Sequence, residues 1–150
     1  MRVFIDTNVI LEKFLEREEC VIVNQFFKTL KIQNHEPLMS VGAFYTMIFV
    51  VDNYLKSELR LTGEDRLFML RRIMSDILQT INVAGHDKES LLRGVNNAEF
   101  KDIEDGCQYE LAQKHGCEVL ITFNTSDYPS GKDMAVKVFT PQQYIDSCSG

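Results

Sequence analysis

Short continuous apolar runs alternate along this chain with stretches of helical spacing, and that alternation predicts a layered α/β fold. Val3, Phe4 and Ile5 form an unbroken apolar run that stops at Asp6-Thr7-Asn8, as a strand buried on both faces does. Leu11, Phe14 and Leu15 then recur at helical spacing, in a helix that Thr7 or Asn8 can cap. Residues 20–30 carry apolar side chains at 22, 23, 26, 27 and 30, a second helix. Pro37-Leu38-Met39-Ser40 reads as the second strand and residues 42–59 as a strongly apolar helix. A further helix over 62–78 is started by Thr62-Gly63-Glu64-Asp65.

Residues 80–84 form the predicted third strand, and Asp87 opens a helix carrying Leu91, Leu92 and Val95. The helix over 103–114 stops at His115-Gly116, where Gly116 suits the left-handed residue that ends helices. Residues 119–123 and 136–139 are the fourth and fifth strands, and Pro141 opens a last helix at its first position. Strands alternating with helices imply a three-layer α/β/α sandwich around a mostly parallel five-stranded sheet.

Length and composition change this picture little. At 150 residues the chain is expected to form one domain over 1–150, with a core that needs no disulfide or structural metal. No internal repeat or low-complexity linker divides it. Only Arg2 precedes the first apolar run, which Asp6 soon interrupts, so no signal-peptide pattern is present. The apolar stretch over 41–51 is far short of a membrane span, and within it residues 43–51 can serve either as core or as the face of a homodimer. No membrane association and a cytoplasmic location are the expectations.

The four cysteines (Cys20, Cys107, Cys117 and Cys148) contain no CxxC pair; three lie among apolar neighbours and are expected to be buried free thiols. His35, His86 and His115 are scattered, without metal-ligand spacing, and read as structural or surface residues. Sixteen basic against 22 acidic residues give a net charge of −6. That argues against a broad basic face for nucleic acid, but a carboxylate-rich metal site would itself supply several of those charges.

The acids are where the chemistry lies. In sheets of this kind ligands collect beyond the carboxyl ends of the strands. Asp6 follows the first strand there, and Asp127 follows the fourth after Thr122-Phe123-Asn124-Thr125-Ser126. Within FKDIEDGCQYELA, Asp102 and Asp105 are three apart and share one face of a helix start, with Ile103, Cys107 and Leu111 expected to face the core. Each acid has a bland alternative. Asp6 can cap a helix, Asp102 can be an N-cap with Asp105 in the first turn, and Asp127 can be a turn residue before Pro129. Together they converge on one rim, and several carboxylates so close are unfavourable without a cation. Oxygen-only ligands point to Mg²⁺ or Mn²⁺ rather than zinc.

The segments Val3-Phe4-Ile5-Asp6-Thr7-Asn8-Val9-Ile10, Asp102-Ile103-Glu104-Asp105 and Ile121-Thr122-Phe123-Asn124-Thr125-Ser126-Asp127-Tyr128 together resemble PIN-domain proteins, the group that includes VapC-like toxin ribonucleases. Order, spacing and context match over essentially the whole chain. The resemblance implies a metal-dependent phosphodiesterase acting on RNA, with Asp6, Asp105 and Asp127 as metal-binding acids. It makes Asp102 an accessory acid and has Thr7 and Asn124 support the site by hydrogen bonding; Glu104 is assigned to solvent. An antitoxin partner and a homodimer are further implications.

One departure stands out. The family usually places a Glu about six residues past a Ser like Ser40, and here that position is Thr46. The resemblance therefore implies a toxin-type ribonuclease, with one alternative from another class: a degenerate PIN domain that binds or assembles and has weak or no nuclease activity.

Overall fold

The computed structural model describes residues 1–129 and 134–150. The five apolar runs become β1 (Arg2–Ile5), β2 (Glu36–Ser40), β3 (Asn82–Ala84), β4 (Cys117–Ile121) and β5 (Lys137–Phe139). All pair in parallel, in the order β3-β2-β1-β4-β5. From β1 the chain builds the sheet outward to β2 and β3, then crosses back to place β4 and β5 on the other side. The strand order thus reverses between β1 and β4, and a crevice opens at their carboxyl ends.

The helices are α1 (Thr7–Phe14), α2 (Cys20–Ile32), α3 (Val41–Ser57), α4 (Gly63–Thr80), α5 (Lys88–Asn96), α6 (Ile103–Lys114) and α7 (Pro141–Cys148). They cover both faces, which explains why β1 lacks alternation. Val3 and Ile5 belong to the core shared with α1, α2, α3, α4 and α7, while Phe4 points oppositely and packs with Tyr109, Leu111 and Ala112 of α6. All three are fully buried, each contributing about 1.5–3 kcal/mol relative to exposure. The three-layer parallel α/β expectation holds.

Several boundaries move, for local reasons. The first helix is capped by Asp6, not by Thr7 or Asn8: the Asp6 carboxylate accepts from the Thr7 amide at 2.8 Å. Ser40 caps α3 by accepting from Ala43 N at 2.9 Å, so that helix starts at Val41. α4 continues through Thr80, which leaves only Asn82–Ala84 for β3, and β4 ends at Ile121 rather than 123. The apolar 41–51 stretch divides into two surfaces. Ala43, Met47 and Val51 form a buried stripe, whereas Tyr45 and Phe49 are 68% and 69% exposed. Ile103, expected in the core, is 59% exposed. All four cysteines are free, but only Cys117 is buried. His35 Nδ1 pairs with the Tyr144 hydroxyl at 2.7 Å and His115 Nε2 with Gly85 O at 3.2 Å. No described helix is long and apolar enough to cross a membrane.

One packing detail positions the later site. A Cβ on Gly94 would lie 2.4 Å from Cys107 Cα, and one on Gly106 would lie 2.7 Å from Gly94 O. The backbones of α5 and α6 therefore touch, and only glycine at both positions allows it. That contact seats the first turn of α6 beside the crevice.

Candidate metal centre

Asp6 is built into the corner where β1 turns into α1. Its amide donates to Ile121 O at 2.9 Å, extending the β1–β4 ladder by one residue. Its carbonyl accepts from Val9 N at 3.1 Å, beginning the helix. One carboxylate oxygen caps Thr7 N, and the other accepts from the Thr122 hydroxyl at 3.0 Å. The Thr122 hydroxyl in turn accepts from Asn124 N at 3.1 Å. Thr122 therefore links Asp6 to the loop that carries Asp127. Sequence reasoning quoted Thr122 within its motif but gave it no role; its place just beyond β4 was the available signal.

Asp127 ends a single 3₁₀ turn, Thr125–Asp127, closed by Asp127 N to Asn124 O at 3.1 Å, and is exposed. Asp102 caps α6, accepting from Asp105 N at 3.2 Å. The capping readings of Asp6 and Asp102 are thus correct, and neither removes those residues from the crevice. Asp6, Thr7, Asp102, Asp105, Asn124 and Asp127 all line one cavity of about 260 Å³, which Asn8, Thr46, Glu104 and Gln108 complete. A neighbouring cavity is shared by Lys101, Asp102, Asp105, Ser126 and Asp127.

Every sequence-predicted site residue is therefore brought to one place. Glu104 is exposed, as expected, yet it stands on the cavity's rim rather than away from it. Thr7 contributes through its amide, while its buried hydroxyl has no hydrogen-bond partner. Thr46 of α3 does line the cavity, and it is exposed and uncharged.

The electrostatics separate the acids. Burial raises the pKa of Asp6, opposed by hydrogen bonds from Thr122, Thr7 and Gln108, with Asp127 pushing it up slightly. Asp105 is pushed up to about 6, first by desolvation and then by the charges of Asp102, Asp6, Asp127 and Glu104. Tyr128, itself buried, has its phenol pushed far up, first by desolvation and then by the charges of Asp6 and Asp105.

The residues present fit a hard divalent cation. Carboxylates, hydroxyls and carboxamides offer an all-oxygen set. Four buried side-chain polar atoms lack a partner among the described residues, and two of them, Thr7 Oγ1 and Gln108 Oε1, belong to residues that line this cavity. Among the described residues no three of Asp, Glu, His or Cys are grouped closely enough to enclose an ion by themselves. Carboxylates alone thus leave part of a coordination shell to water, as Mg²⁺ commonly does.

The family model described as PIN domain matches residues 2–126, which includes β1, α6 and β4 and ends at Ser126, one residue before Asp127. The chain is 27% identical over 158 aligned positions to Ribonuclease VapC1 of Aquifex aeolicus (strain VF5), covering 97% of this chain and 94% of that relative.

Proposed function

Since the chain belongs to the PIN-domain family, we propose that it is a divalent-metal-dependent endoribonuclease of the VapC type, built as one domain over residues 1–150. The observation that carries this reading is the meeting of Asp6, Asp102, Asp105 and Asp127 in one cavity at the strand-order reversal. The similarity to a protein named as a ribonuclease along nearly its whole length supports RNA as the substrate class.

In this reading Asp6, Asp105 and Asp127 hold Mg²⁺ or Mn²⁺. When bound, the cation neutralises the acids, polarises the scissile phosphate and eases deprotonation of the attacking water. Asp6 is oriented by Thr7 N and Thr122, so one oxygen direction is set before any ligand arrives. Asp102 keeps the first turn of α6 in place by accepting from Asp105 N and adds negative charge at the cavity. Asn124 holds the end of the turn that carries Asp127. Lys101, beside Asp102 and Asp105, is placed to meet an incoming phosphate. The expected products carry a 5′-phosphate and a 3′-hydroxyl. Toxin action in the cytoplasm, with an antitoxin as protein partner and a homodimer as the working form, completes the proposal.

Purified protein should cleave some members of a panel of structured RNAs only when Mg²⁺ or Mn²⁺ is added, and Asp105→Asn should remove that cleavage. Cleavage that persists in chelator, or in Asp105→Asn, would sink the proposal. One observation favours a second reading, a PIN domain that binds or assembles without cutting: α3 brings Thr46, not an acid, to the cavity. RNA binding without cleavage under all metals tried would select it.

A further inference from the structure

The acids gather at the carboxyl ends of the strands, and a cavity of opposite character lies toward the amino ends. Its volume is about 670 Å³, against about 260 Å³ for the acidic one. Pro37 near the start of β2, Gln79 and Thr80 at the end of α4, and residues of α2 form its walls. Lys13 also lines it, at the far end of α1 from Asp6 and about 10 Å along the helix axis from that acid.

Charge sets this cavity apart. Lys13, Lys28 and Lys31 line it, and among the described residues no aspartate or glutamate does. That runs against a chain with 22 acidic and 16 basic residues. Among the described residues none of the three lysines forms an ion pair. Lys13 is only partly exposed, and what holds it is neutral. Its Nζ donates to Asn24 Oδ1 at 2.8 Å and stands 5.3 Å from the Phe27 ring centroid and 5.7 Å from that of Phe14. The ammonium is fixed in position while its charge is left for an anion to meet. Lys28 and Lys31, both exposed, are three apart on α2 and share one face of that helix.

The rest of the lining narrows the anion. Phe27, Leu30 and Pro37 give the cavity an apolar wall, which a bare phosphate would leave uncovered. Asn34 and Gln79 can each donate and accept through one carboxamide, as the edge of a nucleobase requires. A planar heterocycle carrying a multiply charged phosphate tail meets the lysines, the apolar wall and the carboxamides together. The volume lies in the range of small-molecule sites.

We propose that this cavity is a metal-independent site for a nucleotide bearing at least two phosphates, with the phosphates on Lys13, Lys28 and Lys31 and the base against the apolar wall. It is separate from the acids and does not depend on how they are read.

The test is calorimetric titration of the whole chain in chelator and low salt, where acids without a cation repel an anionic ligand. ADP should bind wild type one to one. Adenosine and pyrophosphate, each lacking one half of the ligand, should bind at least tenfold more weakly. Lys28→Gln/Lys31→Gln, changed only at exposed positions, should melt with wild type yet bind ADP at least tenfold more weakly, because hydrogen bonds to a charged group are lost. Lys13→Met should weaken ADP similarly, and Lys101→Gln, beside the acids, should leave it unchanged.

A wild-type protein that binds no ADP at millimolar concentration overturns the proposal. Pyrophosphate binding as tightly as ADP would reduce the cavity to a general anion site and remove the nucleotide assignment. ADP affinity that survives in Lys28→Gln/Lys31→Gln, or falls with Lys101→Gln, would place the nucleotide elsewhere and has the same consequence. Single-stranded RNA that loses affinity in Lys28→Gln/Lys31→Gln, with no ADP bound to wild type, would make this face an RNA surface instead.

Discussion

Asp6 and Asp105 border the same cavity, yet the corner that holds one and the helix turn that holds the other are built on opposite terms. Both oxygens of Asp6 are hydrogen-bonded, its amide completes a strand ladder and its carbonyl starts a helix. Asp105 contributes its amide to Asp102 but has four acids acting on a partly desolvated carboxylate, which brings its pKa to about 6. The β1–α1 corner is a structural joint that also faces the site. The start of α6 gathers like charges around Asp105, which a positive charge nearby would relieve. In the proposed metal site one acid would set direction, and another would supply the unmet charge that draws the ion in.

The largest expected effect separates these roles by adding metal. At about 100 times its dissociation constant, Mn²⁺ should raise wild-type stability by about 2.7 kcal/mol through mass action. Asp105→Asn should gain almost nothing from Mn²⁺ and should melt above wild type without it, because the substitution removes the repelled charge. An Asp105→Asn protein that melts lower than wild type in chelator would erase the contrast. Removing the other acid should have the opposite sign. Asp6→Ala loses an N-cap, roughly 0.5–2 kcal/mol, and leaves the buried Thr122 hydroxyl without its acceptor, roughly 1–3 kcal/mol. Relief of carboxylate desolvation offsets part of this, so urea unfolding without metal should show a net loss of about 2 kcal/mol. A neutral Asp6→Ala would mean that the corner is not the joint described.

The dependence on pH is smaller and isolates Asp105. Its pKa is raised from 3.8 to about 6, so the folded state holds this proton after the unfolded state has lost it. The associated stability is present below about pH 4 and is lost as pH rises to about 6. Subtracting the metal-free Asp105→Asn profile from that of wild type should leave a decline confined to this window. Mn²⁺ affinity should rise over the same interval, since proton and cation compete for one carboxylate. A flat difference profile would place the charge burden elsewhere.

The smallest expected change in stability comes from the α3 side. Thr46 is exposed, so Thr46→Glu should alter metal-free stability by no more than about 0.5 kcal/mol while tightening Mn²⁺ binding and increasing RNA cleavage. This differs from burying an acid, which would have cost far more. Tyr45→Glu, also exposed, should be neutral for both. Met47→Glu, with no exposure, should unfold the protein. If Thr46→Glu gains no Mn²⁺ affinity over Tyr45→Glu, α3 does not face the cation.

The sequence by itself determined the order of elements, the parallel sheet and the four acids, because each is written locally. A buried strand shows as an unbroken apolar run, a helix shows as 3.6-residue spacing, and an acid just past a strand is conspicuous at Asp6 and Asp127. Gly116 ended its helix as read, with φ of 69°, and Pro141 opened the last one.

Tertiary structure decided what depends on partners distant in the chain. Whether Tyr45 and Phe49 are core or surface turns on which stripe of α3 meets the sheet, and uniform apolarity carries no such information. The role of Thr122 exists only because β1 and β4, 116 residues apart at Asp6 and Thr122, are neighbours. Gln108 looks like any glutamine until the packing of α6 brings it to the lining of the cavity. Residues that carry charge announce themselves in one dimension. Neutral residues that orient those charges are defined only by the three-dimensional gap they face.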